Sequence, residues 1–443
     1  MNKKNLLSNP LLSRLLVIFP PAILAYVIVT SYAQIPILDE WSFLTQLDRY
    51  YSGTLSIAHL WESIAGSRIL FPQIWLVLWG VVSRFNIGFI LILNFVLSAA
   101  LFLAFLRVTC KLNLKQSQPI SNGLLILISV LFFSLTSLRN WLWAWLAVYW
   151  IWLFAATTAL ILLSNKKLNN KVFFFVICCA VVSSLSFIGG VTVWLAGLVL
   201  IYFSDDFLQK KNRLVAWGGA FLMTLAGGYL RPSVFELIEK EGIVYHAAFF
   251  LKLIGAPFIR FLKPEIVLNE GLPHFLTLTI GSIGVLLFIF VGITFVRKKG
   301  VFFERALFFI SYGIMMLSTL LMVALSRAHV SNIQPFASRY MIYSNLFWIC
   351  LLVLLAVYVY ENQNKIIKKA FTGLCLLVFT GQLTALPYLL KNAKEYKRIF
   401  GLSKEVLITQ TDPRLIALHH DQQVLRQQIA LLKKHQLSVF NES

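Results

Sequence analysis

Charge is what this 443-residue chain has least of: Asp, Glu, Lys and Arg together make up only 13% of it. A soluble domain carries about twice that share, so an ordinary water-soluble enzyme is excluded. Acidic side chains are the scarcer kind, 18 against 39 Lys and Arg, which leaves a formal net charge of +21. The basic residues stand in brief clusters such as Arg297-Lys298-Lys299 and form no stripe, so no nucleic-acid partner is expected. Cysteine is sparse too. Cys110, Cys178, Cys179, Cys350 and Cys375 lie in or beside apolar runs without ligand spacing to histidine, and read as small packing residues. HExxH, P-loop, GxSxG and dinucleotide-binding patterns are all missing. His59, His246 and His329 are too scattered to suggest a metal site.

What the chain does have is apolar residues, 59% of the total, in long runs that recur from end to end. Runs of about twenty residues predict membrane-spanning helices, since in lipid only helices and closed barrels satisfy the backbone. The expected fold is therefore all-α and polytopic. The first run, Leu11 to Val29, is longer than a usual signal core, and is expected to stay as the first helix although Lys3 and Lys4 precede it.

Basic loops orient the chain. Two apolar segments upset the charge pattern if they cross. One is Ser67 to Phe85, with Pro72, Trp75 and Trp79; the other is Ile243 to Leu262, with His246, Lys252 and Arg260. Placing both along the outer surface, in the first and fourth outer loops (34–85 and 231–273), restores it. About 11 spans then follow from a cytoplasmic N-terminus. They are expected near 11–33, 86–107, 121–138, 143–163, 172–187, 190–204, 213–230, 274–296, 303–325, 338–360 and 369–389. The transmembrane body is 1–390, and 391–443 is an outer tail. In that tail Leu415, Leu418, Leu425, Ile429 and Leu432 form one apolar stripe, which predicts a helix docked on its own protein.

The outer loops collect the polar chemistry. Asp39 and Glu40 stand just past the first span, followed by His59, Arg68, Arg139, His246, Arg327, Arg339 and Tyr340. Simpler roles exist for each. Asp39 suits a helix N-cap, "SIAHLWES" suits an interfacial amphipathic helix, and the arginines suit lipid headgroups. Trp141, Trp143, Trp145, Trp150 and Trp152 suit an aromatic belt and helix packing, and Gly189-Gly190 suits a tight turn. Taken together, an outer carboxylate can act as general base, arginines can bind a phosphate bidentately, and helices can hold a long isoprenoid tail.

An outer "DE" (Asp39-Glu40) after the first span, a long first outer loop and about eleven spans resemble the GT-C superfamily of polyprenyl-phosphate-dependent membrane glycosyltransferases. The segments "RILFPQ" (Arg68–Gln73), "RNWLWAW" (Arg139–Trp145) and "ASRY" (Ala337–Tyr340) look similar to those of a bacterial branch with this layout. The resemblance implies a catalytic base at Asp39, with Glu40 as second choice or as a metal or acceptor contact. Arg339, Arg327 and Arg68 would bind the donor phosphate. Arg139, Tyr340, His59 and His246 would be further substrate contacts. It implies an inverting transfer from a polyprenyl-phosphate-linked sugar to a glycan or lipid acceptor, at the outer face of a bacterial inner membrane. No cofactor is certain, and a divalent cation is left open. The chain shows no large soluble outer domain, which favours a lipid-linked acceptor over a protein. A glycan polymerase or ligase, a lipid or glycan flippase, and a non-catalytic membrane scaffold are the alternatives; the flippase would place ionisable residues at mid-membrane, where the expected spans have almost none.

Overall fold

The computed structural model describes residues 10–64, 67–112, 118–165, 168–203, 207–229, 242–259, 271–298, 301–331, 333–362, 364–410, 412–419 and 421–441. Among these residues eight helical segments are long and apolar enough to cross a membrane. The fold is that of an all-α multi-pass membrane protein, with one tiny antiparallel hairpin that pairs Ser63 with Arg68 and Ile64 with Ser67.

The chain starts with α1 (Pro10–Ser31), which holds Pro20 and Pro21 inside it. A loop follows, with a 3-10 turn (Leu38–Trp41), α2 (Ser42–Tyr51), α3 (Ile57–Leu60), the strands β1 (Ser63–Ile64) and β2 (Ser67–Arg68), and α4 (Leu70–Val82). The amphipathic helix expected over "SIAHLWES" shrinks to the four residues of α3, because Ile64, the last member of its apolar stripe, belongs to the hairpin. Then come α5 (Ile87–Cys110), α6 (Gln118–Phe132), α7 (Leu138–Leu142) and α8 (Ala147–Leu163). Asn86 opens α5 by accepting the Phe89 N–H at 3.0 Å, a side-chain cap for an otherwise orphaned donor.

In the middle of the chain two of the expected spans are short helices. The helices α9 (Asn170–Ser184) and α10 (Val193–Tyr202) number only 15 and 10 residues. At 1.5 Å per residue α9 is about 22 Å long, short of the roughly 30 Å of bilayer hydrocarbon. The next helix, α11 (Phe207–Gly228), has 22 residues but carries Lys210, Lys211 and Arg213 near its start. Between α9 and α10 the chain reverses through a 3-10 turn, Ile188–Thr192. The turn is tight enough that a Cβ on Gly190 would sit 2.0 Å from the Ser183 carbonyl oxygen.

The helix α12 (Ile243–Gly255) also differs from expectation. Rather than lying on the surface, it is inserted in the bundle beside α13 (Leu272–Lys298), α14 (Val301–Arg327) and α15 (Met341–Asn362). Glycines allow this: a Cβ on Gly255 would fall 2.0 Å from Thr277 O, and one on Gly281 would fall 1.9 Å from Leu251 O. Ser344 Oγ and Trp348 Nε1 of α15 donate to the carbonyls of Leu253 and Ile254 at 2.7 and 2.8 Å. Ala256 to Phe258 continue from α12 as a 3-10 turn.

The last long helix, α16 (Lys365–Phe400), has 36 residues and runs past the expected tail boundary at 391. Nothing in Lys391–Phe400 breaks a helix, and Arg398 pairs there with Glu395 at 2.6 Å. The tail then forms α17 (Lys404–Thr409), α18 (Leu415–Leu418) and α19 (Gln422–Lys434). All five residues of the predicted apolar stripe are buried. The tail seats on the loop after α1. His435 Nε2 and Lys434 Nζ meet Asp48 Oδ1 at 2.7 and 2.8 Å. Ser438 donates from its amide to Arg84 O and from its hydroxyl to Gln34 O, both at 2.7 Å. First loop and tail therefore share one end of the bundle, called the upper end below.

Candidate functional site

The short hairpin of α9 and α10 creates the site. Its tip is held on α14 at Thr319, whose hydroxyl lies 3.0 Å from that of Thr192 and 3.4 Å from Gly189 O. Helix α14 continues from Thr319 to Arg327, a rise of about 12 Å. Its neighbours continue with it, so a recess of about 370 Å³ remains above the tip. Phe187, Ile188, Gly189 and Thr319 form its floor; Met322, Val323, Leu325, Ser326 and Arg327 form one wall. The wall from the α7–α8 region supplies Trp143, Trp145, Leu146 and Tyr149, while Asp39, Ile64, Ile69, Arg339 and Tyr340 complete the lining.

Four of the sequence-predicted residues thus meet in one cavity: Asp39, Arg327, Arg339 and Tyr340. Asp39 lies inside the Leu38–Trp41 turn, not at a cap position; Ile37 is the N-cap residue of that turn. Leu38 takes a left-handed φ of 51° to start the turn, and Ser42 Oγ closes it by donating to Asp39 O at 2.6 Å. Arg339 belongs to a second 3-10 turn, Ser338–Tyr340. Its Nη2 donates to Gln334 Oε1 at 3.0 Å, and its guanidinium carbon stands 4.9 Å from the centre of the Tyr340 ring. Its buried Nε has no partner among the described residues. Arg327, at the end of α14, is exposed. With two arginines and one aspartate in the lining, the cavity favours an anion.

Glu40 faces away from the cavity, 2% exposed. Its Oε2 accepts the Ile37 N–H at 2.8 Å and its Oε1 the Trp145 N–H at 3.2 Å. Burial pushes its carboxyl up to about 8; the amides of Ile37, Trp145 and Ala144 pull the other way, and neighbouring Asp39 adds to the rise. Glu40 therefore joins the turn that carries Asp39 to the turn Ala144–Leu146. Trp143 Nε1 reinforces the joint by donating to Ile37 O at 3.2 Å.

The remaining predicted residues lie elsewhere. Arg68 points to the far side of the small hairpin, where it donates to the carbonyls of Trp61 and Gly228. Arg139 sits exposed on α7, outside the lining. The His59 ring bonds Ser56 locally, 3.1 Å from Oγ and 3.2 Å from the amide nitrogen. His246 is buried on α12 with neither ring nitrogen partnered among the described residues. No three His, Cys, Asp or Glu side chains converge among the described residues. A divalent cation there would need substrate oxygens besides Asp39.

Several lining residues were not singled out by sequence: Tyr149, Phe187 and Thr319. The tryptophans of 141–152 are core rather than belt, all five at most 7% exposed, with Trp141 and Trp150 stacked at 4.5 Å. Only Trp143 and Trp145 reach the cavity. Their spacing of two, in a stretch that is otherwise helical, was the available signal of a non-helical turn. Comparison with protein-family models, curated proteins and solved structures gives no match to this chain.

Proposed function

We propose that this protein is a membrane glycosyltransferase that moves a sugar from a polyprenyl-phosphate donor to a lipid-linked or other cell-envelope acceptor. The convergence of Asp39, Arg327 and Arg339 on one cavity carries the reading. Asp39 takes the proton of the acceptor hydroxyl as its oxygen attacks the anomeric carbon. The bond to the donor phosphate breaks with its electron pair, and the polyprenyl phosphate leaves on the opposite face, inverting the centre. Arg327 and Arg339 offset the charge on the leaving phosphate. Trp143, Trp145, Tyr149 and Tyr340 offer ring faces to the sugar. On this reading the upper end faces the periplasm or exterior, and the N-terminus the cytoplasm.

The test is transfer by the purified protein in lipid nanodiscs, with a panel of polyprenyl-phosphate sugars and a membrane-lipid extract as acceptor. Asp39→Asn keeps the shape and loses the basicity, so transfer should fall on the order of 10³-fold with unchanged yield. If Asp39→Asn transfers normally while Arg339→Gln does not, the glycan polymerase or ligase reading, which depends on the arginines alone, replaces this one.

A further inference from the structure

A lipid-linked acceptor needs a berth of its own, beside the donor's. The small hairpin separates two compartments. Ile64 and Ile69 line the Asp39 cavity, whereas Trp61 lines a groove of about 290 Å³ between α9 and α11, which Arg68 borders through the Trp61 ring and the Gly228 carbonyl. Ile177, Val181 and Leu185 form one side of that groove, and Ala220, Met223 and Thr224 the other. Phe174, Phe175, Leu222 and Met223 are exposed on the same two helices, so the groove opens toward lipid.

A single arginine stands beside its upper end. The Arg68 guanidinium carbon lies 6.0 Å from the centre of the Trp61 ring, which itself lines the groove. Arg68 is bonded to two backbone carbonyls, Trp61 O and Gly228 O, and makes no ion pair among the described residues. The nearest acid in sequence, Glu62, pairs with Arg49 at 3.1 Å instead. Backbone carbonyls orient a guanidinium without neutralising it. Among the described residues, that charge is open to an anionic head above an apolar tail.

We propose that this groove is a second amphiphile site, which takes one isoprenyl chain with its phosphate on Arg68, and that it holds the acceptor beside the donor cavity. Its size, at the small end of ligand sites, takes a segment of one chain, with the rest lying in lipid. The acceptor role and the choice of an isoprenyl chain rest on the glycosyltransferase reading; a groove for an anionic amphiphile does not. Arg68, expected from sequence to serve the donor, serves the other substrate. The partition is one hairpin thick, so the two heads lie side by side at the upper end.

A long-chain isoprenyl phosphate with a photoreactive diazirine at its tail tests this in phosphatidylcholine nanodiscs, without turnover. Cross-linked peptides should map to 177–185 and 220–227. Labelling there should fall at least tenfold in Arg68→Gln and persist in Arg339→Gln. Ala220→Trp, which fills the groove and leaves Arg68 in place, should abolish the same labels and guards against a misfolded Arg68 variant. Labelling that survives both changes, or that excess phosphatidylglycerol displaces as readily as unlabelled isoprenyl phosphate does, overturns the proposal. If labelling behaves as stated but no sugar panel is transferred, the site stands and the glycosyltransferase reading falls.

Discussion

Adjacent carboxylates have opposite fates at the start of this chain. Asp39 lines the cavity and Glu40 is buried against backbone amides. Burial lifts Glu40 from 4.5 to about 8, so the folded state holds its proton more tightly than the unfolded chain does. Its contribution to stability is complete below 4.5 and is lost as pH climbs through 8. The thermal unfolding temperature should fall across that window, and Glu40→Gln, which cannot ionise, should flatten the fall. Equal pH slopes in the two proteins would remove Glu40 from the account. Arg339 offers a second residue-level expectation. Its guanidinium is set by Gln334 and Tyr340, and a lysine cannot reproduce that planar fork. On the glycosyltransferase reading, Arg339→Lys should raise the donor KM about tenfold, the loss of one charged hydrogen bond; an unchanged KM would deny it the phosphate. Sequence alone found the Asp-Glu pair but could not separate its members. Which of two neighbours turns inward depends on the left-handed Leu38, and no local pattern encodes that.

At the scale of elements, periodicity was a good guide where one face is buried and a poor one where length decides. The stripe from Leu415 to Leu432 was legible because its spacing follows the helical repeat, and all its members are buried on the tail side of the bundle. The expected spans 172–187 and 190–204 were already short and met at Gly189-Gly190, but the 3-10 form of that turn, which delays α10 to Val193, was not legible. Their limit is set by the Ile188–Thr192 turn, and the turn by Gly190. Gly190→Ala brings a methyl to the Ser183 carbonyl and should destabilise the protein by about 3 kcal/mol, the upper part of the range for overpacking. Thermal unfolding in detergent measures it. A variant as stable as the wild type would mean that the turn can open, and that the cavity floor is not fixed by it. The insertion of α12 was likewise hidden. Gly255 and Gly281 lie far apart in sequence, and their contact cannot be read from either segment.

For the whole molecule, the loop charges ordered the helices correctly enough to bring the first loop and the tail to one end. Ser52, His329 and Lys433 are exposed at that end, and Asn165 is exposed at the other. Single cysteines at these positions, in a background without the native five, should divide accordingly in intact cells. An impermeant thiol reagent should label 52, 329 and 433 directly, and 165 only after permeabilisation. Labelling of 52 with protection of 329 would separate Asp39 from Arg327 and dissolve the site. The recess above the short hairpin has one more consequence. Its floor is sunk between longer helices and its walls carry the rings of Trp143, Trp145, Tyr149 and Tyr340, so on the glycosyltransferase reading a seated donor would displace much of the water near its anomeric carbon. Such a chamber would govern the partition of the activated sugar between hydrolysis and productive transfer. A donor lodged there without an acceptor would be spared, and an enzyme widened at Thr319 or Tyr149 would begin to waste it.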